Sequence, residues 1–149
     1  MAAKEYLSQA FVIKKIVNAK RSRVEDLRGL LCCLDEMHAS GDSRHDWPNA
    51  GLGCLKRAIN GTIGELVTEL GRLHDVQNEI AMVVGKVGNP DCRALLYERY
   101  VNLKRWEDIA RESSYSLRHV YKLRRQGLSE VGKILDMEAK KFDRPAHNG

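Results

Sequence analysis

Proline is scarce in this chain, at 3 of 149 residues, and aromatic side chains make up only 6%. A β-sandwich is rich in aromatic residues, so this composition argues for helices. Twelve glycines without a repeat exclude a collagen-like or low-complexity chain. No window of 18 or more residues is uniformly apolar, which excludes a hydropathic membrane span. Met1 to Tyr6 runs straight into mixed polar sequence, so no signal peptide is expected. Cysteine is limited to Cys32, Cys33, Cys54 and Cys92, with no C-x-x-C and no histidine at ligand spacing. These read as reduced thiols, Cys54 as a small core residue, with no metal and no other cofactor.

Catalytic signatures are missing as well. No G-x-G-x-x-G, G-x-x-x-x-G-K, G-x-S-x-G or H-E-x-x-H occurs. Gly61-Thr62-Ile63-Gly64 lacks a following lysine. His38, His45 and His74 have no triad partners at suitable spacing, and His38 and His74 read as helix-surface or seam residues. The expectation is a protein that binds and performs no chemistry.

What is present is a good helical composition, 43% hydrophobic and 30% charged, with a net charge of +5. The surplus is uneven. Residues 90–149 carry 13 Lys+Arg against 9 Asp+Glu, whereas residues 1–89 are close to balance. Ser116 to Gly127 holds Arg118, His119, Lys122, Arg124 and Arg125 and no acid. A one-signed field on one short helix points to an anionic partner.

Two long seams with alternating steps of three and four organise the first half. One, between about Lys4 and His38, runs Ala10, Ile13, Val17, Lys20, Val24, Leu27, Leu31, Leu34. The other runs Ile59, Ile63, Leu66, Leu70, Leu73, Gln77, Ile80, Val84, Val87. It contains Gly61, Gly64, Gly71 and Gly85, each costing about 1 kcal/mol of helix propensity, so packing must hold it. Ala39 to Ala50 has the chemistry of a loop, with Ser40-Gly41-Asp42-Ser43 and Trp47-Pro48-Asn49. An antiparallel helical hairpin follows. One register pairs Leu34 with Ile63, Leu31 with Leu66, Leu27 with Leu70, Val24 with Leu73, Val17 with Ile80 and Ile13 with Val84, and sets Lys20 opposite Gln77 as a buried polar layer. A shift of seven residues also keeps the pattern, and other packings of two helices stay open. The outer face of the hairpin is the candidate surface for a homodimer or higher homo-oligomer.

Gly88-Asn89-Pro90 ends the second seam, and Pro90 suits the first turn of a new helix. The expected division is 1–88 as hairpin, 89–137 as a three-helix domain, and 138–149 as a flexible tail. Three helices are expected: about Asp91 to Val101, Trp106 to Ser113 with acids in its first turn, and Leu117 to about Ile134 with Ser116 as its N-cap. A short helix, a tight turn and a longer basic helix form a helix-turn-helix pattern. Leu96, Tyr100, Trp106, Ile109, Ala110, Tyr115, Val120 and Leu123 are expected inside. Leu117, Arg118, His119, Tyr121, Lys122, Arg124 and Arg125 are left for the surface. Arg118, His119 and Lys122 would meet base edges of double-stranded DNA, and Arg124 and Arg125 phosphates. A solvated basic helix on a partner-binding domain is the plainer alternative.

Leu95 to Tyr100, Trp106-Glu107-Asp108-Ile109-Ala110 and Tyr115 to Tyr121 together resemble region four of bacterial sigma factors. More closely, they are similar to phage and prophage late-transcription regulators of the RinA and ArpU type. The likeness covers about residues 90–135; the N-terminal half is similar in architecture only. The resemblance implies promoter binding at phage late or packaging genes in the cytoplasm of a bacterial host, with RNA polymerase as a further partner. It implies Leu117, Arg118, His119, Tyr121, Lys122 and Arg125 as recognition positions, and Ser116 and Arg124 complete the expected DNA contacts. The chain departs from such modules at Glu112-Ser113-Ser114-Tyr115, where they carry a leucine and a glycine before the aromatic. Three other readings stand beside this one: a terminase small-subunit-like DNA-recognition protein, a protein that engages RNA polymerase or a sigma factor without reading DNA, and a structural coiled-coil protein with a basic tail.

Overall fold

A computed structural model of the chain describes residues 2–39 and 49–143. Of the predicted loop Ala39 to Ala50, residues 40–48 lie outside the described residues, while Ala39 belongs to a helix before them and Asn49 and Ala50 to one after them; the end of the predicted tail, 144–149, also lies outside the described residues. Every regular element among the described residues is helical: α1 (Ala3–Leu7), α2 (Gln9–Ala39), α3 (Asn49–Val84), α4 (Pro90–Leu96), a π turn (Tyr97–Val101), α5 (Trp106–Ser113) and α6 (Leu117–Asp143). The all-α expectation holds.

The helix boundaries follow from local chemistry. The single segment expected from Lys4 is broken at Ser8, where the Gln9 side-chain amide donates to the Tyr6 carbonyl at 3.0 Å. The side chain adds a second donor to a carbonyl at the end of α1 that a backbone N–H of the cap also reaches. Asn89 caps α4 by accepting from the backbone of Asp91 at 2.9 Å, and Pro90 occupies the first helical position, where no N–H is needed. The first helix of the C-terminal group does not stay regular to Val101. It widens into a π turn that closes with Asn102 N–H on the Tyr97 carbonyl at 3.1 Å. α6 outruns its expected end at Ile134 and continues through the first part of the predicted tail to Asp143.

The chain folds as two compact units, Met1–Val12 with His74–Gly149, and Ile13–Leu73. Gly88 therefore lies inside a unit, not between two. The first unit takes in the N-terminal segment because Leu7 and Ala10 are fully buried and α1 packs on α6. Its core also holds Val84, Val87, Cys92, Leu96, Tyr100, Ile109, Val120 and Val131, none more than 4% exposed. Fully burying a Leu or Val is worth about 1.5–3 kcal/mol, so this core is the main restraint on α6. Helices α4 and α6 pack closely at Gly127. A Cβ there would lie 2.8 Å from Leu96 Cδ1 and 3.1 Å from Leu96 Cγ.

In the second unit Val17, Val24 and Leu27 of α2 and Ile59 and Leu73 of α3 are buried. Lys20 of α2 forms an ion pair with Glu65 of α3 at 2.8 Å. The predicted polar layer of Lys20 with Gln77 is not formed. Gln77, in the other unit, donates to the Val101 carbonyl at 2.8 Å, and no polar side chain among the described residues is fully buried. A lysine ammonium gains more from a carboxylate within reach than from a neutral amide, and its long stem lets it stay partly in water. Cys54, expected in the core, is exposed; Cys32 and Cys33 are exposed too, and Cys92 is buried, all as free thiols.

No helix among the described residues is long and apolar enough to cross a membrane, and no group of three or more His, Cys, Asp or Glu is placed to hold a metal ion.

Candidate nucleic-acid interface

The surface built by α5, the turn after it and the start of α6 carries the densest basic segment. Helix α5 spans the predicted Trp106–Ser113, with Glu107 and Asp108 in its first turn. Its end is closed by two backbone bonds. Tyr115 N–H reaches the Ala110 carbonyl at 3.1 Å and Ser114 N–H the Arg111 carbonyl at 3.4 Å, with Ser114 in the left-handed region at φ 59°. Serine thus occupies the position that glycine usually fills. Ser116 then caps α6 as predicted, its Oγ accepting from His119 N–H at 3.1 Å.

Behind α6 stand Val120 and Leu123, both buried, against Ile109 and Ala110 of α5. In front, Ser116, Leu117, Arg118, His119, Tyr121, Lys122 and Arg125 are exposed. Ser116, Arg118, His119, Lys122 and Arg125 line one shallow depression. Arg118, Lys122 and Arg125 make no ion pair with any described residue. Their charges therefore stand unneutralised on the surface, and the acid-free run from Ser116 to Gly127 adds nothing to oppose them.

Three expectations are corrected here. Arg124 is not a surface cation. It is half-buried, its guanidinium lies 5.4 Å from the centre of the Trp106 ring, and its Nε is buried without a hydrogen-bond partner. A weakly hydrated guanidinium gains more from covering an indole than from projecting alone. Tyr115 is not a core residue. It is 36% exposed, with its ring edge-on to His119 at 4.7 Å, because the chain turns out of α5 just before it. Trp106 is half-buried rather than enclosed.

The most structured group in this unit is one that spacing did not single out for function. Arg99 lies between two aromatic faces, 4.4 Å from the centre of Phe11 and 4.9 Å from that of Trp106. Its Nη1 donates to the Lys104 carbonyl at 2.9 Å. Burial pulls its pKa down from the ordinary arginine value, although it remains charged. Edge-on ring contacts continue from Phe11 to Tyr100 at 6.2 Å, Tyr100 to Trp106 at 6.1 Å, and Trp106 to Tyr121 at 6.3 Å. This stack braces α6 from below. Phe11 lies 88 positions before Arg99, so no local pattern could have announced it. Nearby, Lys104 bridges Glu98 at 2.5 Å and Glu112 at 2.7 Å, and both contacts hold its ammonium charged.

No family model, no curated protein and no solved structure matches this chain.

Proposed function

We propose that the first unit binds double-stranded DNA in a sequence-specific manner, with α5 and the start of α6 acting as a helix-turn-helix. One observation carries the reading: Arg118, Lys122 and Arg125 form an exposed, unpaired, acid-free row on a helix whose opposite side is fixed by a buried core. The major groove accepts one helix and offers acceptors at its floor. Arg118, His119 and Lys122 stand nearest the N-terminus of α6 and read base edges, while Arg125, two turns along, meets phosphate. The mechanism is binding alone, through charge neutralisation and counterion release with base contacts added.

The likeness of Leu95–Tyr121 to sigma region four and to prophage late-transcription regulators supports promoter DNA as the target class. Helices α2 and α3 form an antiparallel hairpin in this reading and join copies of the chain through exposed apolar side chains outside the seams, such as Leu30 and Val67. Two copies then supply the two half-sites that a small module needs for affinity.

Gel-shift titration on a selected site and on its scrambled counterpart tests the assignment. Arg118→Ala removes sequence preference, and Arg125→Ala weakens both duplexes alike. Equal losses on the two duplexes from Arg118→Ala overturn it.

A further inference from the structure

The exposed face of α6 is not uniformly cationic. Leu117 and Tyr121, one helical turn apart, are 42% and 40% exposed and form an apolar row beside the charged row of Arg118, Lys122 and Arg125. Met82, Tyr97, Tyr115 and Met137 of this unit are exposed as well, but Leu117 and Tyr121 are set apart by lying one turn apart on α6 directly beside its cationic row. Tyr121 is also held in place, its ring edge-on to Trp106 at 6.3 Å. An apolar row left open within a cationic face is matched to a ligand that carries both acceptors and apolar groups. In the major groove those are the O6 and N7 atoms of guanine and the C5-methyl group of thymine.

We infer that Leu117 and Tyr121 read thymine methyl groups, so that the preferred duplex carries thymine beside the guanine met by Arg118 or Lys122. This inference rests on the DNA-binding reading. Four residues of helix advance about 6 Å, which is close to two base-pair steps at about 3.4 Å each. The apolar row therefore spans two thymines one or two steps apart. The same row disfavours duplex RNA, whose uracils lack the methyl and whose deep, narrow major groove does not admit a helix.

The test uses the full chain. Duplexes are enriched from a random pool by binding to it, and the best is resynthesised with deoxyuridine in place of each thymidine in turn and then at two positions together. Deoxyuridine differs from thymidine only by the methyl group. Covering one methyl corresponds to about a fourfold gain in affinity, so two substitutions weaken binding about fifteenfold. Leu117→Ala shrinks the difference between the thymidine and doubly substituted deoxyuridine forms to the roughly fourfold that Tyr121 alone supplies, and Leu117→Met and Tyr121→Phe keep the full difference. Helical content by circular dichroism identifies any variant that has failed to fold, and Leu117→Met then carries the comparison. Equal affinity of the wild-type chain for thymidine and deoxyuridine forms overturns this inference and leaves DNA binding standing. So does a loss from Leu117→Ala that is the same on both forms, since it assigns Leu117 another role. Enrichment of no duplex at all overturns the DNA-binding reading beneath it.

Discussion

Helices α3 and α6 are both long and both interrupted by glycine, and they differ in what stands opposite the gap. In α3 a Cβ added at Gly61, Gly64 or Gly71 would meet nothing within 4 Å. In α6 a Cβ at Gly127 would meet Leu96 at 2.8 Å, and Leu96 is fully buried and cannot move aside. At position 127 of α6 glycine lets α4 and α6 approach, while at Gly132 of the same helix it meets open space. In α3 it is a cost to the helix with no return inside the described chain. Identical residues thus carry opposite meanings, and only the neighbour distinguishes them. The largest expected effect tests this directly. Gly127→Leu lowers unfolding free energy by about 3 kcal/mol through overpacking, while Gly64→Leu changes it by less than about 1 kcal/mol. Urea midpoints of the two variants measure the difference, and similar midpoints would erase the distinction.

The same contrast separates the neighbours Arg124 and Arg125. One is laid over Trp106 and the other stands in the open. Arg124→Ala costs about 1 kcal/mol of stability through lost ring contact and packing, whereas Arg125→Ala stays within about 0.5 kcal/mol. DNA affinity moves the other way, with the larger loss at Arg125. If Arg125→Ala were the more destabilising of the two, the division between covered and open cations would be wrong.

These contrasts show how far a linear pattern reaches. The bounds of α5, the Ser116 cap and the Asn89-Pro90 start were legible because each depends on residues within one turn of itself. The inward set of Leu96, Tyr100, Ile109, Ala110, Val120 and Leu123 was legible because helical periodicity assigns a face. Arg124 and Tyr115 were misplaced for different reasons. Arg124 lies at the edge of the buried arc of α6, where the Trp106 ring decides the outcome and periodicity cannot resolve it; Tyr115 follows the left-handed turn at Ser114, where helical periodicity no longer assigns a face. The Arg99 site needed Phe11 from the far end of the chain. Lys20 with Glu65 needed the packing of α2 and α3, for which the seams allowed more than one register.

Smaller gains should follow where glycine is present without need or absent where it is needed. Gly64→Ala and Gly71→Ala each raise stability by up to about 1 kcal/mol, since Ala restores helix propensity and meets open space. A loss at either position in thermal unfolding would place another helix against that face. Ser114 is the converse, a non-glycine residue at φ 59°. Ser114→Gly relieves the steric cost of the left-handed backbone and stabilises the chain by about 0.5 kcal/mol, less than the full relief because glycine also loosens the unfolded chain.

The smallest expected effect lies where covered and open surface meet, at Glu98. The Lys104 ammonium, followed by the Asn102 side-chain amide, holds the Glu98 carboxylate below the usual glutamate range, and burial opposes them in part. A carboxylate whose pKa is lower in the folded chain stabilises that chain above its unfolded pKa and loses the contribution as pH falls through the folded value. Wild type should therefore exceed Glu98→Gln in stability at neutral pH, and the two should converge as the solution is made acidic enough to protonate Glu98. With the side chain 35% exposed, solvent screening keeps the gap below about 1 kcal/mol. Parallel urea titrations at neutral and acidic pH resolve it. A gap that persists unchanged into acid would mean that Glu98 acts through packing alone, and would move it from the charged rim to the covered interior of the unit.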